Sequence, residues 1–226
     1  MKSLKLALVS GFQIILLLGG QFASAQDTNF NDAEALLDAM RARESYAKTI
    51  EQFTRFLPDT VSVQQWYDRI YNDMARIYSE VYTAEELQGI RSFYESPVGQ
   101  AFLNKRPHGF QMFAGSPPTN TSEVKLEEAK VLFEVMRSRE AMEQTNQRIS
   151  RTLNVHFTPD SLDFLYRRTI ETYAGIFTLE ELRGIRSFYE SPAGQAFVDK
   201  RPLLIEKHSE VMQNFQSDVR NEMNVN

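Results

Sequence analysis

The stretch from Thr83 to Pro107 reads TAEELQGIRSFYESPVGQAFLNKRP, and the stretch from Thr178 to Pro202 reads TLEELRGIRSFYESPAGQAFVDKRP. Twenty of the 25 aligned positions are identical at a constant offset of 95. An earlier block, Leu36 to Phe53, matches Leu132 to Ile149 at an offset of 96. The chain is therefore an internal duplication, and an account of one half must also serve the other.

The repeated stretch predicts a helix, a sharp turn and a second helix. In each copy a threonine stands three residues before a glutamate, which is the capping box that begins a helix. A serine-proline pair follows, in which the serine is expected as N-cap and the proline as the first residue of the next helix. The boxes are Thr83 with Glu86 and Thr178 with Glu181, and the pairs are Ser96-Pro97 and Ser191-Pro192.

The segment before the repeated stretch predicts two further helices per copy. Asn31 to Glu34 is typical of an N-cap, and apolar residues then follow at helical spacing as far as Leu57-Pro58. A second helix begins after Ser62 in the first copy and at Thr158-Pro159 in the other. No segment shows the alternation of a strand. We therefore predict an all-α fold with about four helices per repeat and a two-fold relation between the copies.

Two segments after residue 25 lie outside this pattern of four helices per repeat. The residues 115–122 (GSPPTNTS) are rich in glycine, proline, serine and asparagine, so they predict a linker between a first repeat at 26–114 and a second at 123–226. After Pro202 the apolar pattern continues without a counterpart in the first copy. This pattern predicts a long, proline-kinked C-terminal helix that packs across both halves and frays from Asn221 onward.

The first 25 residues have the features of a secretory signal peptide. Lys2 and Lys5 precede an apolar run from Leu6 to Leu18, and Ala23-Ser24-Ala25 is an A-x-A cleavage site. The run is too short and too interrupted to span a bilayer, which needs about 20 apolar residues. We expect cleavage after Ala25, a periplasmic location, with secretion as the alternative, and no stable membrane anchor.

Composition excludes several classes of function. The chain has no cysteine, which excludes disulfides, thiol catalysis and a lipoprotein anchor. Its formal net charge is −5, and loss of Lys2 and Lys5 makes it −7. An acidic chain without a basic run is a poor partner for nucleic acid or for anionic lipid.

The pattern T-x-E-E-L-x-G-I-x-S-F-Y-x-S-P-x-G-Q-A-F-x-x-K-x-P resembles the bacterial family called domain of unknown function 2059, and it occurs twice in this chain. The resemblance implies an exported helical protein of a Gram-negative bacterium. It brings no catalytic residue, cofactor or partner with it. The candidate positions of the motif are Gly89, Phe93, Tyr94, Ser96, Pro97, Gly99 and Gln100, with their copies Gly184, Phe188, Tyr189, Ser191, Pro192, Gly194 and Gln195.

Candidate chemistry is sparse, and each candidate has a structural explanation. Glu86 and Glu181 would serve as carboxylates of a cell-wall hydrolase if they faced one cleft, but their capping positions explain them without catalysis. Small residues such as Gly89 and Gly99 indicate close helix packing or a ligand against the backbone. The basic pairs Lys105-Arg106 and Lys200-Arg201 indicate helix C-termini or an anion site. The histidines, His108, His156 and His208, have no metal-ligand spacing.

Charged residues on the apolar stripes predict one polar contact per repeat. The stripe of the first helix places Arg43 or Glu44 inward, with Arg139 and Glu140 as copies, and the third helix draws Arg91 and Arg186 inward. Because buried charges are almost always paired, we predict ion pairs between Glu44 and Arg91 and between Glu140 and Arg186.

With no catalytic set, cofactor site or metal site repeated, the leading functional hypothesis is a non-enzymatic periplasmic module that binds a protein or peptide of the envelope. The alternatives are a peptidoglycan hydrolase that uses Glu86 and Glu181, and a carrier of an apolar ligand in a cavity between the repeats.

Overall fold

The computed structural model describes residues 28–47, 63–105, 121–153 and 158–224, and every element within them is an α-helix. The predicted all-α class is confirmed. The helices of the first repeat are α1 (28–39), α2 (42–47), α3 (Val63–Val81), α4 (Ala84–Glu95) and α5 (Pro97–Lys105); those of the second are α6 (Glu123–Val135), α7 (Ser138–Leu153), α8 (Pro159–Ile176), α9 (Leu179–Glu190) and α10 (Pro192–Asp199); and α11 (Arg201–Asn224) follows.

The predicted first helix of each repeat is interrupted, so that the described residues contain five helices per repeat rather than about four. Turns at Arg41 and at its copy Arg137 separate α1 from α2 and α6 from α7. Their φ angles are 55° and 48°, in the left-handed region that residues with a Cβ adopt rarely. Their N–H groups donate to the carbonyls of Asp38 and Glu134, each at 2.9 Å. The prediction of a continuous helix was wrong because neither glycine nor proline marks this break.

The structure confirms some of the predicted helix starts and contradicts others. α8 begins at Pro159, with Thr158 as its N-cap, as predicted. The N-cap predicted near Asn31 is wrong, because the chain is already helical at residue 28. The side chain of Asn29 instead donates to the carbonyls of Ser79 and Tyr82 at the end of α3. This tertiary contact caps α3, and a local pattern cannot show it. Leu57-Pro58 and Ser62 lie outside the described residues.

The chain divides into two compact units that do not follow the two repeats. One unit extends to Gln88 and resumes at Pro202, and the other comprises Gly89–Arg201. The first division falls inside α4 and the second at the start of α11. Each unit therefore combines segments of both repeats, whereas the sequence predicted a boundary at the linker. Residues 115–120 of that linker lie outside the described residues.

In the first unit, α11 packs on α3 of the first repeat, although it is the C-terminal extension of the second repeat. The ring of Phe215 meets the indole of Trp66 edge to face, with centroids 5.3 Å apart. Arg69 pairs with Asp218 at 2.8 Å, and near the opposite end of α3 the ammonium of Lys207 lies 2.9 Å from a carboxylate oxygen of Glu80. The apolar continuation after Pro202 thus belongs to a helix that completes the core of the first unit.

The predicted proline kink in this helix is wrong. Pro202 lies in the first turn of α11, where a helix has no intrahelical partner for the backbone N–H that proline lacks. The helix continues to Asn224, beyond the residue from which we expected it to fray.

Candidate functional site

Both predicted capping boxes are formed. The hydroxyl of Thr178 accepts from the N–H of Glu181 at 3.1 Å, and the carboxylate of Glu181 accepts from the N–H of Thr178 at 2.8 Å. Thr83 and Glu86 make the same two bonds at 3.3 and 2.8 Å. The two glutamates that were candidates for a hydrolase therefore hold the first turns of α4 and α9.

The serine and glutamine of the repeated motif tie consecutive helices together. The hydroxyl of Ser96 accepts from the N–H of Gly99 at 3.0 Å and donates to the carbonyl of Phe93 at 2.6 Å. The side-chain amide of Gln100 donates to the carbonyl of Tyr94 at 2.6 Å. Side chains at the start of α5 thus donate to carbonyls at the end of α4, where a helix runs out of intrahelical partners. Ser96 is consequently a cap in the position predicted for it, with its hydroxyl occupied.

The second copy forms the same corner between α9 and α10. Ser191 accepts from the N–H of Gly194 at 3.2 Å and donates to the carbonyl of Phe188 at 2.6 Å, and Gln195 donates to the carbonyl of Tyr189. We name these two arrangements, at 93–100 and 188–195, the Ser-Pro corners. Because every bond recurs at the same offset as the sequence match, the motif encodes a defined local structure.

Glycine is required in each corner because the preceding helix passes too close for a side chain. A Cβ on Gly99 would lie 1.9 Å from the carbonyl oxygen of Phe93, and one on Gly194 would lie 2.0 Å from that of Phe188. Both distances are far inside van der Waals contact, and the obstructing atoms are backbone. Close packing, predicted from the small residues, therefore explains these two glycines.

In the second unit, the end of α4 and α5 pack against α9 and α10 through equivalent residues. The rings of Phe93 and Phe188 stack with centroids 4.1 Å apart and planes 7° apart. A Cβ on Gly89 would lie 2.6 Å from Cβ of Ala193, and a Cβ on its copy Gly184 would lie 2.9 Å from a γ-carbon of Val98, the counterpart of Ala193. Such reciprocal contacts are those made across a local two-fold axis. They fill the space that an apolar ligand would need at this interface.

Lys105 connects the end of α5 to the capping box of α9. Its ammonium lies 2.6 and 2.8 Å from the two carboxylate oxygens of Glu181 and 6.0 Å from the centroid of the Phe177 ring. Burial raises the pKa of Glu181, but the bonds from Lys105 and from the Thr178 backbone outweigh it, so the pKa lies below its ordinary value. Glu181 is thus held as an anion, which does not suit a general acid.

The other predicted basic pair serves a helix end. Arg201 donates from its guanidinium to the carbonyl of Met136 at 3.1 Å, at the C-cap of α6. Arg137, beside that carbonyl, pairs with Asp199 at 2.7 Å. The structural interpretation of Lys200-Arg201 is therefore supported at Arg201. Arg106, the counterpart of Arg201, lies outside the described residues.

The predicted partner of Arg186 requires a correction. Glu140 is exposed on α7, and the carboxylate that meets Arg186 belongs to Glu128 on α6, with Oε1 2.8 Å from Nη1. The Glu128 side chain is only 10% exposed, and Arg183 approaches its other oxygen at 3.5 Å. The reason is the turn at Arg137, which places Glu140 on a different helix from the one that packs on α9.

The first repeat shows a weaker version of the same link. Glu44 is exposed, and the guanidinium of Arg91 bonds Glu95 one turn later at 2.7 Å. At the position of Glu128 the first repeat has Asp32, which accepts a hydrogen bond from the amide of Gln88 at 3.2 Å. A polar link between the first helix of a repeat and the helix that begins the repeated stretch is therefore present in both copies, but with carboxylates 12 residues earlier than the sequence pattern indicated.

Arg43 and Arg139 make a duplicated contact that the sequence analysis missed. The guanidinium carbon of Arg43 lies 3.8 Å from the ring centroid of Tyr71, and that of Arg139 lies 4.5 Å from the ring centroid of Tyr166. These are cation-π contacts between equivalent residues. The charged residue that contacts the neighbouring helix at this place is thus the arginine, about half of whose side chain is exposed, and its partner is a tyrosine of α3 or α8. The recurrence of a tyrosine at 71 and 166 was the available signal.

In the first repeat, this contact includes a carboxylate. The hydroxyl of Tyr71 donates to Asp38 at 2.7 Å and to the carbonyl of Glu34 at 3.0 Å, and Arg43 also bonds Asp38 at 2.7 Å. Burial raises the pKa of Asp38, but the hydrogen bonds from Tyr71 and Arg43 bring it below its ordinary value. Burial, with Asp38 as the second cause, raises the pKa of Tyr71. The cluster fixes α1 and α2 on α3 and leaves no free base.

Two large apolar side chains are exposed in the described part of the second unit, Val124 on α6 and Phe164 on α8. Phe164 on α8 is 60% exposed and borders a shallow depression with Asp160, Ser161 and Leu165. On α3 the positions equivalent to Ser161 and Leu165 are Trp66 and Ile70, which are buried beside α11. The side of α3 that is buried in the first unit is thus only partly buried at the equivalent positions of α8 in the second. We name the depression around Phe164 the α8 surface.

The remaining candidates offer no chemistry in the described residues. His208 is partly buried against Tyr46, with ring centroids 6.2 Å apart, and burial lowers its pKa. His108 and His156 lie outside the described residues. Within the described ranges, no three acidic or histidine side chains are grouped as metal ligands. None of the described helices has the length and apolar character to cross a membrane.

Comparison with known proteins agrees with the duplication. No curated protein and no solved structure matches the chain. One family model, described as "Uncharacterized protein conserved in bacteria (DUF2059)", matches at residues 68–115 and again at 163–219. Both segments include a capping box and a Ser-Pro corner. Two segments of the chain thus match the bacterial domain of unknown function 2059, consistent with two tandem copies of that domain.

Proposed function

We propose that this protein is a non-enzymatic helical module that is exported to the periplasm and binds a protein or peptide of the cell envelope. The observation that supports the proposal is the structural role of the polar residues that recur in both copies. The threonine and glutamate of each capping box and the serine and glutamine of each corner bond to backbone groups. What the duplication preserves is thus a scaffold, and function is expected on surfaces where the copies differ.

The α8 surface is a place where the two copies differ. It carries Phe164 where the first repeat has Arg69, and Ser161 where the first repeat has Trp66. An exposed aromatic ring beside a depression suits a partner that presents an apolar side chain. Export rests on the signal peptide at residues 1–25, which lie outside the described residues.

Site-directed crosslinking in the periplasm tests this proposal. Because the chain has no cysteine, a single introduced cysteine is the only attachment point for a thiol-reactive photocrosslinker. We expect Phe164→Cys to capture a defined envelope protein or peptide. Val124→Cys is the matched control, because Val124 is 58% exposed on α6 and does not border the depression. Identical capture from both positions, or capture from neither, would contradict the proposed surface.

The hydrolase alternative predicts a different result. Purified cell wall would be cleared by the wild-type protein and not by Glu86→Gln or Glu181→Gln. Because Glu181 is an anion bonded to Lys105, we expect no clearing by any of the three proteins. Native mass spectrometry of the protein as purified tests the third alternative, the carrier of an apolar ligand. A carrier would show the additional mass of a bound lipid. The Phe93 and Phe188 rings leave no room for one at their interface.

A further inference from the structure

The two repeats exchange segments. The second unit holds the last turns of α4 and all of α5, which belong to the first repeat, packed on α9 and α10 of the second. In the first unit, α11, which is the C-terminal extension of the second repeat, packs on α3 of the first. Neither compact unit is therefore made from a single repeat.

The surface that joins the repeats in the second unit is complementary to its own copy. Phe93 stacks on its counterpart Phe188, so one residue type pairs with itself at the centre. On one side Gly89 faces Ala193, and on the other Gly184 faces Val98, so the same pair of positions occurs twice with the roles exchanged. This is the geometry of an isologous interface, in which the same patch of two subunits meets around a two-fold axis.

We propose that this patch, formed by Gly89, Phe93 and Val98 in one repeat and by Gly184, Phe188 and Ala193 in the other, is a self-recognition surface whose partner is a second copy of the repeat. The chain is a dimer fused into one polypeptide. Two repeats released from the linker remain paired, and a repeat without its neighbour pairs with another of its kind. The proposal is independent of any envelope partner at the α8 surface.

The test uses the complete chain with a protease site inserted in the linker 115–122 and cut after folding. Native mass spectrometry is expected to show the two fragments as a one-to-one complex. The cut protein is then unfolded and refolded with the C-terminal fragment in excess, and homodimers of that fragment are expected beside the heterodimer. Separation of the cut fragments under native conditions would overturn the proposal. If the excess C-terminal fragment is only monomeric or aggregated, the proposed self-recognition is refuted.

Substitutions at the local two-fold axis test whether this patch holds the two fragments together. Phe188→Ala is expected to raise the dissociation constant of the cut fragments about tenfold or more, because it removes one ring of the stack. Phe164→Ala is the control, since that ring is exposed on α8, and it is expected to leave the constant unchanged. Circular dichroism of each uncut variant verifies that it is folded.

A second pair of variants covers the case in which Phe188→Ala fails to fold. The Cβ of Gly184→Ala would meet the γ-carbons of Val98 at 2.9 and 3.0 Å, so this variant is expected to weaken pairing. The double variant Gly184→Ala/Val98→Ala removes those carbons and is expected to restore it. If the double variant pairs no better than the single one, the assigned contact is refuted.

Discussion

In each repeat a glycine lies in a helix and an arginine lies in a left-handed turn, which is the reverse of what these residue types usually prefer. Gly99 and Gly194 lie inside helices, where glycine is ordinarily about 1 kcal/mol worse than alanine, because a Cβ would collide with a carbonyl of the preceding helix. Arg41 and Arg137 adopt the left-handed conformation that usually belongs to glycine. The backbone thus demands glycine at the Ser-Pro corners, while the left-handed turn of each repeat is occupied by an arginine.

The left-handed turn predicts an inversion of the usual order of alanine and glycine. At residue 137 both substitutions remove the ion pair with Asp199, so the two variants differ mainly in the backbone. Because a left-handed residue with a Cβ costs about 1–2 kcal/mol, Arg137→Gly should be more stable than Arg137→Ala by about 1 kcal/mol. Denaturant unfolding measures the difference. At Glu134, exposed in the same region of α6, alanine should be better than glycine, and the same order at both positions would contradict the assigned turn.

The capping box of the second repeat predicts a dependence on pH. The folded pKa of Glu181 lies below the ordinary value of 4.5, so its contribution to stability is present above that value and is lost as the pH falls through the folded pKa. Glu181→Gln should therefore be less stable than wild type at neutral pH, and the difference should shrink at an acidic pH at which the wild-type carboxylate has taken up its proton. Unfolding free energies at both pH values measure it.

The control for this pH dependence is the adjacent exposed residue. Glu180→Gln keeps Glu181 and its bonds to Lys105 and Thr178, so it should lose stability with acid as the wild type does. A gap between wild type and Glu181→Gln that stays constant down to acidic pH would show that the carboxylate charge is not what stabilises this contact.

At the scale of elements, the equivalent helices α3 and α8 differ in what covers them. Trp66 of α3 is buried against Phe215 of α11, whereas Phe164 of α8 is mostly exposed. Trp66→Ala should therefore destabilise by about 3–5 kcal/mol, as expected for loss of a buried aromatic side chain. Phe164→Ala should change the free energy of unfolding by no more than about 0.5 kcal/mol. Denaturant unfolding monitored by circular dichroism measures both.

A double-mutant cycle assigns the effect at Trp66 to α11. The variants Trp66→Ala, Phe215→Ala and the pair together should show a coupling energy of about 0.5–1.5 kcal/mol, the range for an edge-to-face aromatic contact. Additive effects would mean that each ring is stabilised by other neighbours, and that α11 does not depend on this contact.

The sequence predicted the elements whose signals are local. A capping box or a Ser-Pro corner is decided by residues three to six apart, so Thr178, Glu181 and Ser191 could be assigned without a structure. The turn at Arg137 could not, because an arginine in the left-handed region has no marker in the sequence. The partner of Arg186 was wrong for a related reason, since the prediction treated residues on both sides of Arg137 as one helix and so did not separate Glu140 on α7 from α6, the helix that packs on α9.

At the scale of the whole molecule, the duplication was evident from the sequence but the division of the chain was not. Twenty identities among 25 positions show that the halves have one origin, and they predict a boundary in the linker between them. The compact units are instead divided at Gln88 and at Arg201, because each repeat donates a segment to the other. The spacing of apolar residues along one helix does not show which of the two copies of a neighbouring helix that helix packs against.

The compartment is decided at the N-terminus of the whole chain. Two lysines, an apolar run and Ala23-Ser24-Ala25 predict a signal peptide, so we expect the exported protein to begin at Gln26. N-terminal sequencing or intact-mass measurement of material from the periplasmic fraction measures this directly. Because signal peptidases require small residues at the cleavage site, Ala25→Leu should block cleavage, while Gln26→Leu, one position later, should not. If the wild-type protein from the periplasm retains Met1, the predicted cleavage after Ala25 is wrong. If the wild-type protein remains in the cytoplasmic fraction, the signal peptide is wrongly assigned, and the envelope partner proposed for the α8 surface is excluded with it.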